Sequence, residues 1–225
     1  FYKMSFPLII SIKSSKISSF ERENIKKYKP FGVILFKRNI LNINQTKKLI
    51  KTIKSLHSKI YILIDQEGGI VNRFSKSKEF NFLDNFEYYK IYLKYPSLAK
   101  QLVYLKSFIT SYQLNKIGFD INTIPVLDIP NSKTIPMIKK RTFGSDLDTS
   151  IKLNEIFVKT SVFFGISPVM KHIPGHGLTS KDSHLSLPTV GSSLKSLKDQ
   201  LKLFHHFRHL PYAMTAHIRY DKWDK

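Results

Sequence analysis

The sequence predicts an α/β fold built from parallel strands. Short apolar runs alternate with longer amphipathic segments along the whole chain. The runs are continuously apolar rather than alternating, which is typical of parallel strands buried on both faces. Polar and charged residues follow several of these runs, and a parallel barrel carries its chemistry at that end of its strands. We therefore expect a TIM-type (β/α) barrel.

Six strands are predicted, each a short run rich in aliphatic and aromatic residues. They span residues 7–12, 32–36, 61–65, 119–126, 166–172 and 212–218. A complete barrel has eight strands in about 250 residues. We therefore expect an incomplete barrel, with about six of its eight β/α units. A doubly wound open sheet is the alternative, although no glycine-rich phosphate loop follows the first strand.

Helices are predicted between the strands, where apolar residues recur at helical spacing or a capping residue precedes helix-forming residues. They span residues 19–29, 44–57, 96–116, 149–164 and 193–207. A serine before Phe20 caps the first, and Leu49, Ile50, Ile53 and Leu56 share one face of the second. At 225 residues, the chain is expected to form a single domain over residues 1–225.

The composition of the chain limits the kinds of partner and site that it is expected to have. The formal charge is +21, but it comes mostly from lysines spread along the chain, which favours a solvated surface over a nucleic-acid site. The absence of cysteine excludes disulfides, thiolate metal sites and a cysteine nucleophile, and it fits a cytoplasmic protein. No apolar stretch reaches the ~18 residues of a membrane span, so we expect no membrane partner.

The most informative segment is Lys-His-Ile-Pro-Gly-His-Gly at residues 171–177, followed by Asp182-Ser183-His184. Proline lacks an N–H and glycine destabilises regular structure, so the segment cannot lie inside a helix. It follows the fifth predicted strand and forms a polar loop at its end, as active-site loops do. A metal site at His172, His176 and His184 is a minor alternative, and no metal or other cofactor is expected.

Further motifs occur in order along the chain. They are KPFGVILFKRNI (29–40), DQEGGIVNR (65–73), GFDIN with PVLD (118–128), RTFGSD (141–146), KHIPGHG (171–177), DSH (182–184) and MTAH (214–217). Together they resemble the catalytic barrel of family 3 glycoside hydrolases. Within that family, the chain is most similar to the bacterial β-N-acetylhexosaminidases of peptidoglycan recycling.

The resemblance implies hydrolysis of terminal, non-reducing β-linked N-acetylglucosamine with retention, from muropeptide or chitooligosaccharide substrates. Most retaining glycosidases use two carboxylates. Here the resemblance implies that His184 is the general acid/base, a role that suits the near-neutral pKa of histidine. Asp182 would orient the His184 imidazole and stabilise its charged form. No cofactor is implied.

Six further residues are expected to bind the sugar. A carboxylate accepts two hydroxyl hydrogen bonds, and cationic and imidazole side chains donate to hydroxyl and carbonyl oxygens. The expected set is Asp65, Arg73, Arg141, Lys171, His172 and His217. Three alternatives stay open: Asp65 as a helix cap, Asp128 as a loop cap rather than a substrate contact, and His176 as a brace of its turn.

The family's nucleophile is an aspartate that lies beyond the sixth strand, and no aspartate of these 225 residues can be assigned to that role. We therefore expect a C-terminally truncated barrel whose partners are a saccharide and, to complete it, a separate C-terminal fragment. Two alternatives to an enzyme remain: an inactive sugar-binding remnant, and a basic protein that binds polyanions.

Overall fold

The computed structural model describes residues 6–179, 187–190 and 194–221. In this part of the chain, six strands form one parallel sheet whose order follows the sequence from β1 to β6. The strands are β1 (Phe6–Ser11), β2 (Pro30–Leu35), β3 (Tyr61–Ile64), β4 (Ile121–Asn122), β5 (Ser167–Ile173) and β6 (Tyr212–Thr215). A doubly wound sheet reverses its strand order, so the sequential order confirms an incomplete (β/α) barrel.

Seven α-helices accompany the described strands. They are α1 (Ser19–Tyr28), α2 (Ile43–Leu56), α3 (Asn85–Lys94), α4 (Pro96–Ile117), α5 (Pro136–Lys139), α6 (Leu147–Phe163) and α7 (Leu194–His206). The sequence did not predict α3 or the short α5. Only Asn85 and Tyr88 of α3 are buried, so the helix has no continuous apolar stripe from which to recognise it.

The first helix begins with a capping box. The Ser18 hydroxyl accepts a hydrogen bond from the Glu21 backbone N–H at 3.2 Å, and the Glu21 carboxylate accepts one from the Ser18 N–H at 2.8 Å. Each side chain thus satisfies a backbone donor that a helix start leaves free. The Asp146 carboxylate caps α6 by accepting from the Thr149 N–H at 2.8 Å.

The fourth and sixth strands are shorter than predicted. Regular pairing of β4 stops at Asn122, and a cis peptide bond joins Ile124 to Pro125, which has no N–H to offer a neighbouring strand. Backbone hydrogen bonds still join this segment to β5, from Val169 to Ile124 at 2.7 Å and from Lys171 to Pro125 at 3.1 Å, but the only further strand-type bridge in the described segment pairs Val126 with Lys171. The prediction of a continuous strand over 119–126 was therefore wrong in its extent, although this segment does lie between β3 and β5.

The largest hydrophobic core lies between the first strands and the helices that cover them. It includes Ile25 of α1, Ile53 of α2, Val33 and Leu35 of β2, and Leu114 of α4, all of them fully buried. No helix in the described ranges is both long and apolar enough to cross a membrane.

The edge formed by β1 is open. Phe6, Leu8 and Ile9 are each about half exposed, at 51%, 48% and 51%. Together with Phe20 and Tyr28 of α1, the outward residues of β1 line an apolar groove of about 450 Å³.

Candidate functional site

A cavity of about 480 Å³ opens at the carboxyl ends of the strands. Its volume lies in the range typical of small-molecule sites. All six residues predicted to bind the sugar line it, although they come from four of the motifs along the chain: Asp65, Arg73, Arg141, Lys171, His172 and His217. A second depression of about 690 Å³ near the start of α2 shares no lining residue with this cavity and has no carboxylate or histidine among its lining residues. The cavity at the strand ends is therefore the candidate site.

Asp65 follows β3 directly and is held by three neighbours. One carboxylate oxygen accepts from Arg73 Nη2 at 3.0 Å, and the other accepts from the Thr123 hydroxyl and lies 3.6 Å from Lys171 Nζ. Burial alone would raise the pKa of Asp65, but Lys171, Thr123 and Arg73 outweigh it and lower the pKa. Asp65 is therefore an ionised acceptor rather than the helix cap that was the alternative.

The loop that presents Arg73 is fixed by amide side chains. Gln66 and Asn122 exchange side-chain and backbone hydrogen bonds at 2.8 and 2.9 Å, which ties the end of β3 to β4. The Gln66 amide then accepts from the Arg73 N–H at 2.8 Å and donates to Asn72 at 3.0 Å. The strand end thus sets the position of Arg73.

Glu67 is the buried anion beneath the cavity, and its side chain is 1% exposed. Arg141 donates to both carboxylate oxygens, from Nε at 2.9 Å and from Nη2 at 2.8 Å. Lys171 Nζ lies 2.5 Å from Oε1. Burial would raise the pKa of Glu67, but Arg141 and Lys171 outweigh it and hold the pKa far below its usual value. The negative charge of Glu67 is therefore balanced within the protein by Arg141 and Lys171.

Lys171, near the end of β5, connects the two carboxylates. Its ammonium contacts Glu67 and Asp65 and donates to the Thr123 hydroxyl at 2.9 Å. Because the side chain is only 2% exposed, it contributes a fixed positive charge to the floor of the cavity rather than a mobile arm.

His172 is oriented by Asp128. The imidazole Nδ1 lies 2.8 Å from Asp128 Oδ2, and Nε2 lies 3.3 Å from Arg141 Nη2. A guanidinium only donates, so Nε2 accepts and Nδ1 carries the proton that is donated to Asp128. Burial would raise the pKa of Asp128, but His172 and the surrounding hydrogen bonds lower it.

The loop after β5 is packed against Asp128 and the segment that follows it. Asp128 Oδ1 accepts from the His176 N–H at 2.6 Å, so this carboxylate braces the turn as well as His172. The carbonyl of Ile129 occupies the place where a side chain on residue 177 would begin, which explains Gly177. His176 is 4% exposed, and burial lowers its pKa.

The structure therefore brings the predicted sugar-binding residues together. His184 and Asp182 lie outside the described residues, so their arrangement stays a prediction. Within the ranges that are described, no cluster of three His, Asp or Glu side chains could hold a metal ion. Sequence reasoning missed Glu67 and Thr123. Glu67 could have been found from its position two residues after Asp65, which places both side chains on one side of an extended segment.

Comparison with known proteins identifies the architecture. The model of the glycosyl hydrolase family 3 N terminal domain matches residues 4–225. The beta-hexosaminidase of Shewanella frigidimarina is 30% identical over 229 residues, covering 96% of this chain and 64% of that protein. Beta-hexosaminidase A of Pseudoalteromonas piscicida is 30% identical over 212 residues, or 90% of this chain and 35% of that protein. The chain thus spans less than two thirds of these relatives.

Solved structures agree with this comparison. The crystal structure of native NagZ from Neisseria gonorrhoeae superimposes with a TM-score of 0.89 at 30% identity, over 97% of this chain and 64% of that one. The same protein in complex with N-trifluoroacetyl-D-glucosamine gives a TM-score of 0.89 and covers 65% of that chain.

Proposed function

Because the chain belongs to the glycosyl hydrolase family 3 N terminal domain family, we propose that it binds and hydrolyses terminal, non-reducing β-linked N-acetylglucosamine. The observation that carries the proposal is the cavity at the strand ends, where three cations and two carboxylates are already paired. A neighbour of the same fold, the gonococcal protein, was crystallised with an N-acylated glucosamine analogue.

The described residues suit a neutral, hydroxyl-rich ligand. Asp65 is ionised and faces the cavity, so its carboxylate can accept hydrogen bonds from sugar hydroxyls. Arg73 and His217 lie at the cavity wall and offer donors. The ion pairs with Glu67 hold Arg141 and Lys171 in place, so little ordering is needed when the sugar binds.

The proton transfers are assigned to the residues that follow 174–179 in the sequence. In this proposal His184 donates a proton to the leaving oxygen and later accepts one from water, while Asp182 orients its imidazole. Residues 174–179 would anchor the start of that loop, because Asp128 and the Ile129 carbonyl pack against His176 and Gly177. The proposed setting is peptidoglycan recycling in the cytoplasm, with muropeptide or chitooligosaccharide substrates.

A retaining mechanism also needs a nucleophile, which the proposal assigns to polypeptide beyond the strands described here. We propose that this polypeptide, continuous with the chain or a separate C-terminal fragment, packs on β1. The exposed Phe6, Leu8 and Ile9 and the apolar groove beside α1 are the surfaces it would cover.

Hydrolysis of a chromogenic aryl β-N-acetylglucosaminide by the purified 225-residue chain, alone and supplied with the C-terminal polypeptide, tests the activity. Turnover is expected only when that polypeptide supplies the nucleophile. His184→Ala should abolish this turnover, whereas His205→Ala, an exposed histidine on α7, should leave it unchanged. Thermal stabilisation by N-acetylglucosamine without turnover would indicate a sugar-binding remnant. Absence of both, with DNA binding that falls steeply with salt, would support the polyanion-binding alternative.

The complementing fragment is tested by co-expression. The probe is the part of the Shewanella relative that this chain does not match. Co-purification and a gain of turnover that also requires His184 would support the proposal. A chain that neither binds the fragment nor gains activity from it would contradict it.

A further inference from the structure

Lys106 is a buried cation that has no role in the site described so far. It lies on α4, and only 1% of the residue is exposed. Lysines are almost never fully buried unless they are paired, because an ammonium loses its hydration on burial. Lys106 has no carboxylate among its hydrogen-bond partners in the described chain. Its burial therefore requires an explanation.

The contacts of Lys106 are polar oxygens and aromatic rings. Its Nζ donates to the side-chain oxygen of Asn85 and lies 3.5 Å from the Leu83 carbonyl oxygen. The same atom lies 5.1 Å from the centre of the Tyr88 ring and 5.8 Å from that of Phe143, within the range of cation–π attraction. The ammonium is thus held at the start of α3.

Lys106 also reaches the loop that carries Glu67. A Cβ on residue 68 would lie 2.9 Å from Lys106 Nζ and 2.8 Å from its Cε, and Gly68 has φ +82°. The positive φ favours glycine at residue 68, and the absence of a side chain there lets the loop lie directly against the end of the Lys106 side chain. Glu67 immediately precedes Gly68, so its backbone lies directly beside this contact.

The second link leads to Arg141. Asn85 accepts from Lys106, and its side-chain nitrogen donates to the backbone carbonyl of Arg141 at 2.8 Å. Lys106 thus touches the loop after β3 and, through Asn85, the segment of Arg141. Glu67 and Arg141 are the two ends of the bidentate ion pair beneath the cavity.

We propose that Lys106 is a positioning residue that aligns Glu67 with Arg141 and thereby prepares the cavity for an N-acetylated sugar. The sugar part of this inference rests on the proposed function. The alignment itself does not.

The charge of Lys106 gives the inference a distinctive signature. Burial lowers the pKa of Lys106 to about 7, although Glu67 and Asp84 act in the opposite direction. The titratable groups that face the ammonium are Glu67 from the loop after β3, and Asp84 and Tyr88 from the start of α3 and its first turns. Loss of the proton reduces the donors from three to two and removes the cation–π attraction.

Hydrogen exchange read by mass spectrometry tests the alignment. Lys106→Met keeps an unbranched side chain that is one heavy atom shorter, and it removes the donors. We expect exchange to rise about tenfold in residues 66–72 and 139–142 together, which corresponds to about 1.4 kcal/mol of lost local stability. Leu114→Ala is the control, because Leu114 is fully buried on the same helix but packs in a different core cluster. Equal exchange of these two segments in both variants would overturn the proposal.

Titration with N-acetylglucosamine at several pH values separates positioning from a general loss of stability. Between about pH 6 and pH 9 we expect the affinity of the wild type to fall severalfold as Lys106 loses its proton. Lys106→Met should be weaker at pH 6 and lack this component of the profile, and Leu114→Ala should retain it. Identical profiles in wild type and Lys106→Met would contradict the inference. Absence of sugar binding by the wild type would count against the proposed function, while the exchange result would still decide the alignment.

Discussion

Replacing Glu67 by glutamine should strongly destabilise the fold, because the change removes the charge but keeps the shape. The Glu67 side chain is 1% exposed, and it receives two hydrogen bonds from Arg141 and an ion pair from Lys171 at 2.5 Å. Removing one partner of a buried pair leaves the opposite charge without compensation and costs about 3–5 kcal/mol. Here two cations lose their shared carboxylate.

Urea denaturation followed by far-ultraviolet circular dichroism measures this loss of unfolding free energy. Thermal denaturation gives a second measure of it. In a chain of this size, 1 kcal/mol corresponds to about 2–4 °C in Tm, so Tm should fall by roughly 6–20 °C. Glu155→Gln is the matched control. Glu155 lies on the surface of α6 with a 33% exposed side chain and pairs with the exposed Lys159 and His206, so its loss should cost under about 1 kcal/mol.

A second variant and the acid limb of the stability curve test the electrostatic origin. Adding Lys171→Met to Glu67→Gln should recover part of the loss, since one uncompensated cation is removed. The pKa of Glu67 is lowered in the folded state, so its contribution is present above the unfolded pKa and is lost as pH falls below about 4.5. Glu67→Gln should therefore flatten that acid limb. Equal destabilisation by Glu67→Gln and Glu155→Gln would refute the reasoning.

Three other predictions concern neighbouring parts of the site. Asp128→Asn should cost about 1–3 kcal/mol in urea denaturation, because His172 Nδ1–H and the His176 N–H lose a charged acceptor; an unchanged midpoint would contradict this. Gly177→Ala should cost at least about 1–3 kcal/mol, because its methyl would overlap the Ile129 carbonyl, and a wild-type Tm would contradict this. The pKa of Lys106 is lowered to about 7 by burial, below its unfolded value of about 10.4, so the unfolded chain binds more protons between these values. Wild-type stability should therefore rise from pH 7 toward pH 10 relative to Lys106→Met, and parallel curves would exclude such a titration.

The sequence predicted the order of the strands well because each buried strand is a continuous apolar run, as in Gly32 to Leu35 and Tyr61 to Ile64. Strand ends were less predictable. Regular pairing of β4 ends at Asn122, and an apolar run by itself does not show where such pairing ends. Helix α3 was missed because few of its residues are buried, so its position is set by tertiary packing rather than by a pattern in its own sequence.

The sequence predicted those site residues that are polar or charged and stand at the end of an apolar strand. Asp65, Lys171 and His172 follow or end apolar strands, so their place at the carboxyl edge of the barrel could be read directly. Lys106 could not be found in this way. Charged residues are usually exposed, and only the packing shows that Lys106 points inward.

Pro7 of β1 has a consequence for self-association. An open strand with apolar side chains on both faces is a template on which another copy can add by edge-to-edge pairing. Proline has no N–H, so a strand that approached β1 along its free edge would lose a potential hydrogen bond at residue 7, and prolines in sheets are confined to such edges. Pro7→Ala should therefore accelerate aggregation of the chain, measured by light scattering, without changing the residues that line the cavity.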